Sequence, residues 1–314
     1  MNETMFENPI YIIGAGAIGK ALAVFLHLAD KRVFLVRGSV SGEPTADIAV
    51  QVNLASNISV AAAITHITLD NLAEINGLIL LTNKSFGNIM LAEKIKDKIK
   101  GSPVVLLQNG LGVEEPFIKL GYKSVYRCVL FATSQPVGNN IFRFQPVAES
   151  AIGIVEGSVT ELEAIVSQLK HNHFPFKAET GIQTVIWKKA ITNVVFNSIC
   201  PLLEIDNGVF HRNETALKLA HRLVNECTQI AEAIGIELTN SEVLENVVKI
   251  SKASDGQHIS TLQDIRHHRP TEIDTFNFEV VRIARKMGKE HLVTETKLLG
   301  ELTKLKSELN LINS

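Results

Sequence analysis

Cysteine is scarce in this chain, with only Cys128, Cys200 and Cys227 among 314 residues. They form no C-x-x-C pair and no even-numbered framework. That excludes a disulfide-stapled fold and points to buried, inert thiols in a reducing cytoplasm. Charge of one sign is missing as well: 31 Lys and Arg face 33 Asp and Glu, a formal −2. No bulk basic field exists to hold nucleic acid or an anionic membrane, and the short Arg266 to Arg269 run reads as solvated surface. The ten histidines contain no H-E-x-x-H and no compact His/Cys/Asp cluster, so no metal is expected. No G-x-S-x-G elbow marks a nucleophilic serine. The nine residues from Met1 to Pro9 carry two Glu and no basic residue, unlike the start of a secretory signal. Residues 10–29 form the one run apolar enough to suggest a membrane span. Gly14, Gly16, Gly19 and Lys20 interrupt it, so it reads as a buried strand entering a helix.

Apolar material for a sizeable core is plentiful, at 46% of residues, and the length suits two domains. The first half alternates short β-rich runs with helical patterns, the signal of βαβ units and a parallel sheet. Strands are predicted at residues 9–13, 32–36, 77–82 and 103–107, and helices at 17–29 and 89–100. Further strands fall at 124–133 and 141–154, hairpin-like around Gly138-Asn139-Asn140. From about Ile182 onward, three- and four-residue spacing dominates, with helices expected at 215–234, 241–252, 272–287 and 294–311. The last is Lys/Glu/Leu-rich, with one solvated face. The expected architecture is α/β: a Rossmann-type dinucleotide-binding domain over residues 1–180, then an all-helical substrate and catalytic domain over 181–314. Apolar helical faces suit a domain core or a homodimer equally.

Three stretches carry candidate chemistry. Gly14-Ala15-Gly16-Ala17-Ile18-Gly19 is G-x-G-x-x-G between a strand and a helix. Gly14 permits the tight turn, Gly16 lets the backbone approach a pyrophosphate, and Gly19 packs helix against strand. The second strand ends in Arg37 with no acid to hold a ribose 2′-hydroxyl. A guanidinium there suits a 2′-phosphate, which favours NADP over NAD, although an exposed surface arginine is the plainer alternative. In the second stretch, Lys189, Asn193 and Asn197 lie four apart on one face of an otherwise apolar helix. A lysine in a closed site can protonate a developing alkoxide; one at a helix start can equally hold its head in solvent. In the third, Ser260 to Asp264 precedes Thr271-Glu272-Ile-Asp274. Glu272 is expected in a first helical turn, where capping explains it as readily as catalysis.

With these residues in view, the sequence resembles the ketopantoate reductase (2-dehydropantoate 2-reductase) family. Five blocks match in order: the glycine loop, Thr82-Asn-Lys84, Gln108-Asn109-Gly110-Leu-Gly112, Trp187 to Asn197, and Ser260 to Asp274. The resemblance implies a Rossmann-type domain, a helical domain, a cleft between them, and NADPH-dependent reduction of 2-dehydropantoate to (R)-pantoate on the way to pantothenate and coenzyme A. It also implies that Arg37, Lys84 and Asn109 hold the cofactor and that Lys189 is the general acid. Asn193, Asn197, Asn207 and Ser260 would bind substrate, with Glu272 near both. The chain departs from the family at Gln257-His258, where an asparagine is usual, and along Cys128 to Ser134, where a threonine-rich stretch is usual. Two other readings therefore stand beside the first: reduction of a different small 2-oxo acid, or a non-catalytic NADP-binding sensor. The complete Lys–Asn–Asn–Ser–Glu set counts against the sensor.

Overall fold

The computed structural model describes residues 8–38, 40–54 and 58–312. The chain divides into two compact units. The first comprises residues up to Asn109 together with Val113–Ile182; the second comprises Gly110–Gly112 and Gln183 onward.

The first unit is built on one eleven-stranded sheet. Its strands are β1 (Ile10–Ile13), β2 (Val33–Arg37), β3 (Ala46–Leu54), β4 (Ser59–Thr68), β5 (Leu78–Leu81), β6 (Val104–Leu106), β7 (Val125–Val129), β8 (Ala132–Gly138), β9 (Ile141–Pro146), β10 (Ser150–Glu156) and β11 (Phe176–Ala178). Their spatial order is β11-β10-β7-β6-β5-β1-β2-β4-β3-β9-β8. The centre is parallel, with β1 in register between β2 and β5. Both β1 and β5 are wholly buried, which explains their unbroken apolar runs. One face packs on α1 (Ala17–Leu28) and α4 (Val159–Gln168), around Phe25, Phe144 and Ile165. The other packs on α2 (Asn88–Lys96) and α3 (Glu115–Lys119), around Leu91, Ile95 and Phe117. Residues 10–29 are thus β1 running into α1, as expected, and no helix among the described residues is long and apolar enough to cross a membrane.

Several sequence boundaries are corrected. The 124–133 run is two strands, and β7 and β8 lie in opposite halves of the sheet. The hairpin around Asn140 joins β8 to β9, whereas β10 leaves for β7. The antiparallel pair β3 and β4, absent from the sequence reading, extends the sheet beyond β2.

The second unit is helical: α5 (Ile182–Leu203, whose first residue closes the first unit), α6 (Val209–Arg212), α7 (Glu214–Ala233), α8 (Asn240–Ala253), α9 (Ser260–Arg266), α10 (Asn277–Lys286) and α11 (Thr294–Ile312). α5 is its spine, buried nearly all round from Trp187 to Cys200. Local chemistry sets the helix starts. Asn213 accepts from the Ala216 N–H at 2.9 Å, and Thr239 with Glu242 forms a capping box on α8. The helix expected at 272–287 is broken. Residues 273–275 form a 3-10 turn, Phe276 sits at φ −108°, ψ −94°, and α10 begins only at Asn277. The cause is tertiary: the Thr275 carbonyl accepts from the Leu111 N–H at 2.9 Å, and a Cβ at Gly110 would lie 2.4 Å from Thr275 Oγ1. All three cysteines are buried and none is in a disulfide, and burial pushes the Cys200 and Cys227 thiols up to about 12, which accounts for inert thiols.

Candidate active site

In the first unit, the glycine loop joins β1 to α1. Gly14 has φ +124°, and a Cβ there would sit 2.4 Å from the Asn83 nitrogen; a Cβ on Gly19 would sit 2.1 Å from the Gly14 oxygen. Neither position tolerates a side chain. A Cβ on Gly16 would meet nothing within 4 Å. Gly16 starts α1 without a side-chain cap, and the first turn holds no acid. This is open space facing uncapped N–H groups, which fits an anion.

Arg37 ends β2 and is half-buried, but its Nη1 donates to Glu43 at 2.6 Å. No acid stands at the end of β2 in sequence, yet the fold returns one to it. Arg37 also acts at a distance. Burial first, then the Arg37 charge, lowers the pKa of Lys20; burial, Arg37 and Lys20 lower that of His66, partly countered by Glu43. Positive charge from Arg37 and Lys20 therefore gathers at the end of β2, with Glu43 opposing it.

Lys84 is exposed and precedes the 3-10 turn at Ser85–Gly87. Its loop is tied to the Asn109 loop by a buried amide network that sequence reading missed. Asn88 Nδ2 donates to Gln108 Oε1 at 2.7 Å and to the Val113 carbonyl at 2.8 Å, and Gln108 Nε2 donates to the Asn83 carbonyl at 2.9 Å. Asn88 stands just before the helix expected at 89–100, and nothing in its spacing announced this role.

In the second unit, Lys189 and Asn193 are half-buried on α5, whereas Asn197 is 1% exposed. Asn197 Nδ2 donates to the Asn193 carbonyl at 3.0 Å. Its Oδ1 accepts from the Thr261 N–H at 3.3 Å and from Ser260 Oγ at 3.4 Å. Asn197 thus fastens the α9 N-terminus to the stripe, while Ser260 itself stays exposed. Asn207 is held by its backbone, which donates to the Gln257 carbonyl at 2.8 Å and accepts from Ser251 Oγ at 2.7 Å. Its side-chain Oδ1 is buried with no partner. Next to it, Asp206 Oδ1 accepts from the Gly208 N–H at 2.7 Å and the Gly256 N–H at 3.2 Å, and Arg212 bridges to it. Arg212 above all, then the two N–H groups, holds the Asp206 carboxyl at about 2 against a partial desolvation. Glu272 is half-buried just before the 3-10 turn, and no side chain caps that turn. Asp274 instead pairs with Lys304 at 2.8 Å, so the expected capping motif does not form. Among the described residues, no group of three or more His, Cys, Asp or Glu side chains could hold a metal.

Two family models account for most of the chain. Ketopantoate reductase PanE/ApbA matches residues 10–157, and its C-terminal counterpart matches residues 181–305. The chain belongs to the ketopantoate reductase family. Members of that family are oxidoreductases acting on a CH–OH/C=O pair. A 2-dehydropantoate 2-reductase of Pyrococcus abyssi is 26% identical over 282 residues, covering 90% of this chain and 92% of the relative. Among solved structures, a D-mandelate dehydrogenase in ternary complex with NADH and anilino(oxo)acetate aligns with TM-score 0.81 at 23% identity, covering 96% and 99% of the two chains. A dimeric ketopantoate reductase from Staphylococcus aureus aligns with TM-score 0.79 at 18% identity over the same shares. These two structures establish the likeness of fold.

Proposed function

We propose that this chain reduces the ketone of 2-dehydropantoate to (R)-pantoate with NADPH, as a cytoplasmic step toward pantothenate and coenzyme A. The observation that carries the reading is the stripe of Lys189 and Asn193 on a helix otherwise buried, fastened through Asn197 to Ser260. The glycine loop, Arg37, Lys84 and Asn109 belong to the nucleotide-binding domain, residues 1–180. Residues 181–314 belong to the substrate domain. NADPH, when bound, supplies the hydride. Lys189 donates a proton to the ketone oxygen as negative charge develops there. Asn193, Asn207 and Ser260 hold the carboxylate and hydroxyl arms; Asn197 sets the position of Ser260, and Glu272 orients substrate and lysine. Fixed donors of this kind lower the barrier chiefly by removing the cost of alignment. The reading includes a homodimer, the state named for the S. aureus enzyme.

A second reading keeps the cofactor and changes the acid. It is favoured by Gln257-His258 and by the fold's likeness to a D-mandelate dehydrogenase. NADPH oxidation by purified protein, with ketopantoate beside a panel of 2-oxo acids, separates the two. Saturable turnover strongest with ketopantoate supports the first reading. Turnover confined to other acids selects the second, and tight NADPH binding with no turnover on any of them favours a sensor.

A further inference from the structure

The last helix is built inside out. α11 buries Thr296, Gly300, Thr303 and Ser307. It exposes Leu298, Leu302, Leu305, Leu309 and Ile312, each between 43% and 79%. A helix on a folded unit ordinarily does the reverse. Buried hydrogen bonds lock this rotation. Thr303 Oγ1 donates to the Ser198 carbonyl at 3.3 Å, and the Thr296 carbonyl accepts from Asn277 Nδ2 at 2.9 Å. Glu226 of α7 accepts from the Glu295 and Thr296 N–H groups at 3.0 and 2.8 Å, fixing the helix start. Gly300 lies so close to Asn277 that an added Cβ would fall 2.8 Å from the asparagine Cβ. Turning the leucines inward would break these bonds and drive bulk into a contact that admits only glycine.

The exposed residues recur at steps of 4, 3, 4 and 3, the seam of a helix that packs on another helix. Beside the seam runs a groove of about 370 Å³, with Leu262 and Ile265 of α9 opposite Leu302, Leu305 and Leu309. The two edges differ in charge. Helical spacing puts Glu301 and Glu308 along one, and Lys306 with Arg266 of α9 lies along the other, where Lys306 also bonds Glu204. A two-fold axis parallel to the helix sets the acidic edge of each copy against the basic edge of the other. An antiparallel pairing would oppose like edges.

From this we propose that α11 is a self-association surface. It pairs in parallel with α11 of a second copy of this chain, the leucines of each entering the groove of the other. The inference deepens the homodimer reading above and is independent of the cofactor and substrate.

Light scattering coupled to size exclusion tests it on the full chain from 1 to about 50 μM. Wild type is expected at twice the chain mass. Leu305→Glu/Leu309→Glu is expected at the single-chain mass with an unchanged far-UV CD spectrum. A single-chain wild type overturns dimer and surface together. A double variant that stays paired overturns the surface while leaving a dimer through another face. Should the double variant misfold, Glu301→Lys serves, because it alters only an exposed edge. It is expected to weaken pairing at least about tenfold, as an interfacial charge conflict does, and adding Arg266→Glu is expected to restore it. Failure of that rescue overturns the parallel arrangement.

Discussion

If Asn207 binds substrate as proposed, it sets stability against function in a way one substitution can expose. Its backbone is fastened at both ends, to Gln257 and Ser251, and these bonds do not depend on the side chain. The side chain is 6% exposed and its Oδ1 has no partner. A buried acceptor left unmade costs about 1–3 kcal/mol. Asn207→Leu keeps the branched shape and removes that acceptor, while the two methyl groups add strain of about 1 kcal/mol, the low end for overpacking. Net stability is therefore expected to stay level or rise by up to about 2 kcal/mol, read as an unchanged or higher urea midpoint at constant slope. Substrate binding moves the other way. If Oδ1 receives the hydroxyl of the substrate, its loss costs about 1–3 kcal/mol, so KM rises roughly 5- to 150-fold at 1.4 kcal/mol per decade, with kcat little changed. A variant that loses more than about 2 kcal/mol of stability and keeps the wild-type KM would refute the reasoning. Asn207 would then be a structural residue whose oxygen is satisfied within the fold.

Lys189→Ala is expected to lower kcat by about 10²- to 10⁴-fold, the usual worth of a general acid, while NADPH binding followed by nucleotide fluorescence stays intact. Wild-type turnover in that variant removes Lys189 from the chemistry. If a 2′-phosphate binds at Arg37, Glu43 competes with it for the guanidinium, so the two substitutions act in opposite directions on the ratio of NADPH to NADH efficiency. Arg37→Ala lowers that ratio and Glu43→Ala raises it, and movement in the same direction would contradict the assignment. Asp206 has a pKa of about 2 in the folded protein against an ordinary 3.8. Its folded state binds fewer protons than the unfolded one across that window. The stability it contributes is thus fully present above pH 4 and is lost as pH falls toward 2. Asp206→Asn is expected to remove that part of the acid transition, and coincident acid-unfolding curves for variant and wild type would disprove it.

Strands whose burial is total were the legible ones. β1 and β5 are continuous apolar runs because both faces of the sheet are covered there. β3 does carry a strand alternation, Ile48, Val50, Val52 and Leu54, with Val50 and Val52 buried, which the sequence reading passed over; in β4 the run Ala61 to Ala63, poor strand formers, masks the same signal around Val60 and Ile64. The start of α4 did leave a signal, since Ser158 accepts from the Glu161 N–H at 3.2 Å in an S-x-x-E pattern. The break at Phe276 left none. It follows from the docking of residues 110–112 on Thr275, and no local pattern records a contact so distant in sequence.

The candidate site divides along the same line. Spacing of four placed Lys189, Asn193 and Asn197 on one face, but it could not tell a ligand from a strut. Burial and partners add a difference that spacing does not carry. Asn197 is sealed and bonded at both ends of its amide, so it holds Ser260 in place, whereas Lys189 and Asn193 remain on the part of the helix that the core leaves partly uncovered. The departure at Gln257 changes meaning in the same way. Its side chain is exposed, and its carbonyl is the group that anchors the Asn207 N–H at 2.8 Å. A backbone acceptor is indifferent to the side chain it carries, so glutamine preserves the placement of Asn207 whatever it does to a direct substrate contact. Gln257→Asn is accordingly expected to leave stability and the Asn207 dependence of KM untouched while shifting the preference among 2-oxo acids. Loss of the Asn207 effect in that background would show that the side chain, and not the backbone, holds the loop.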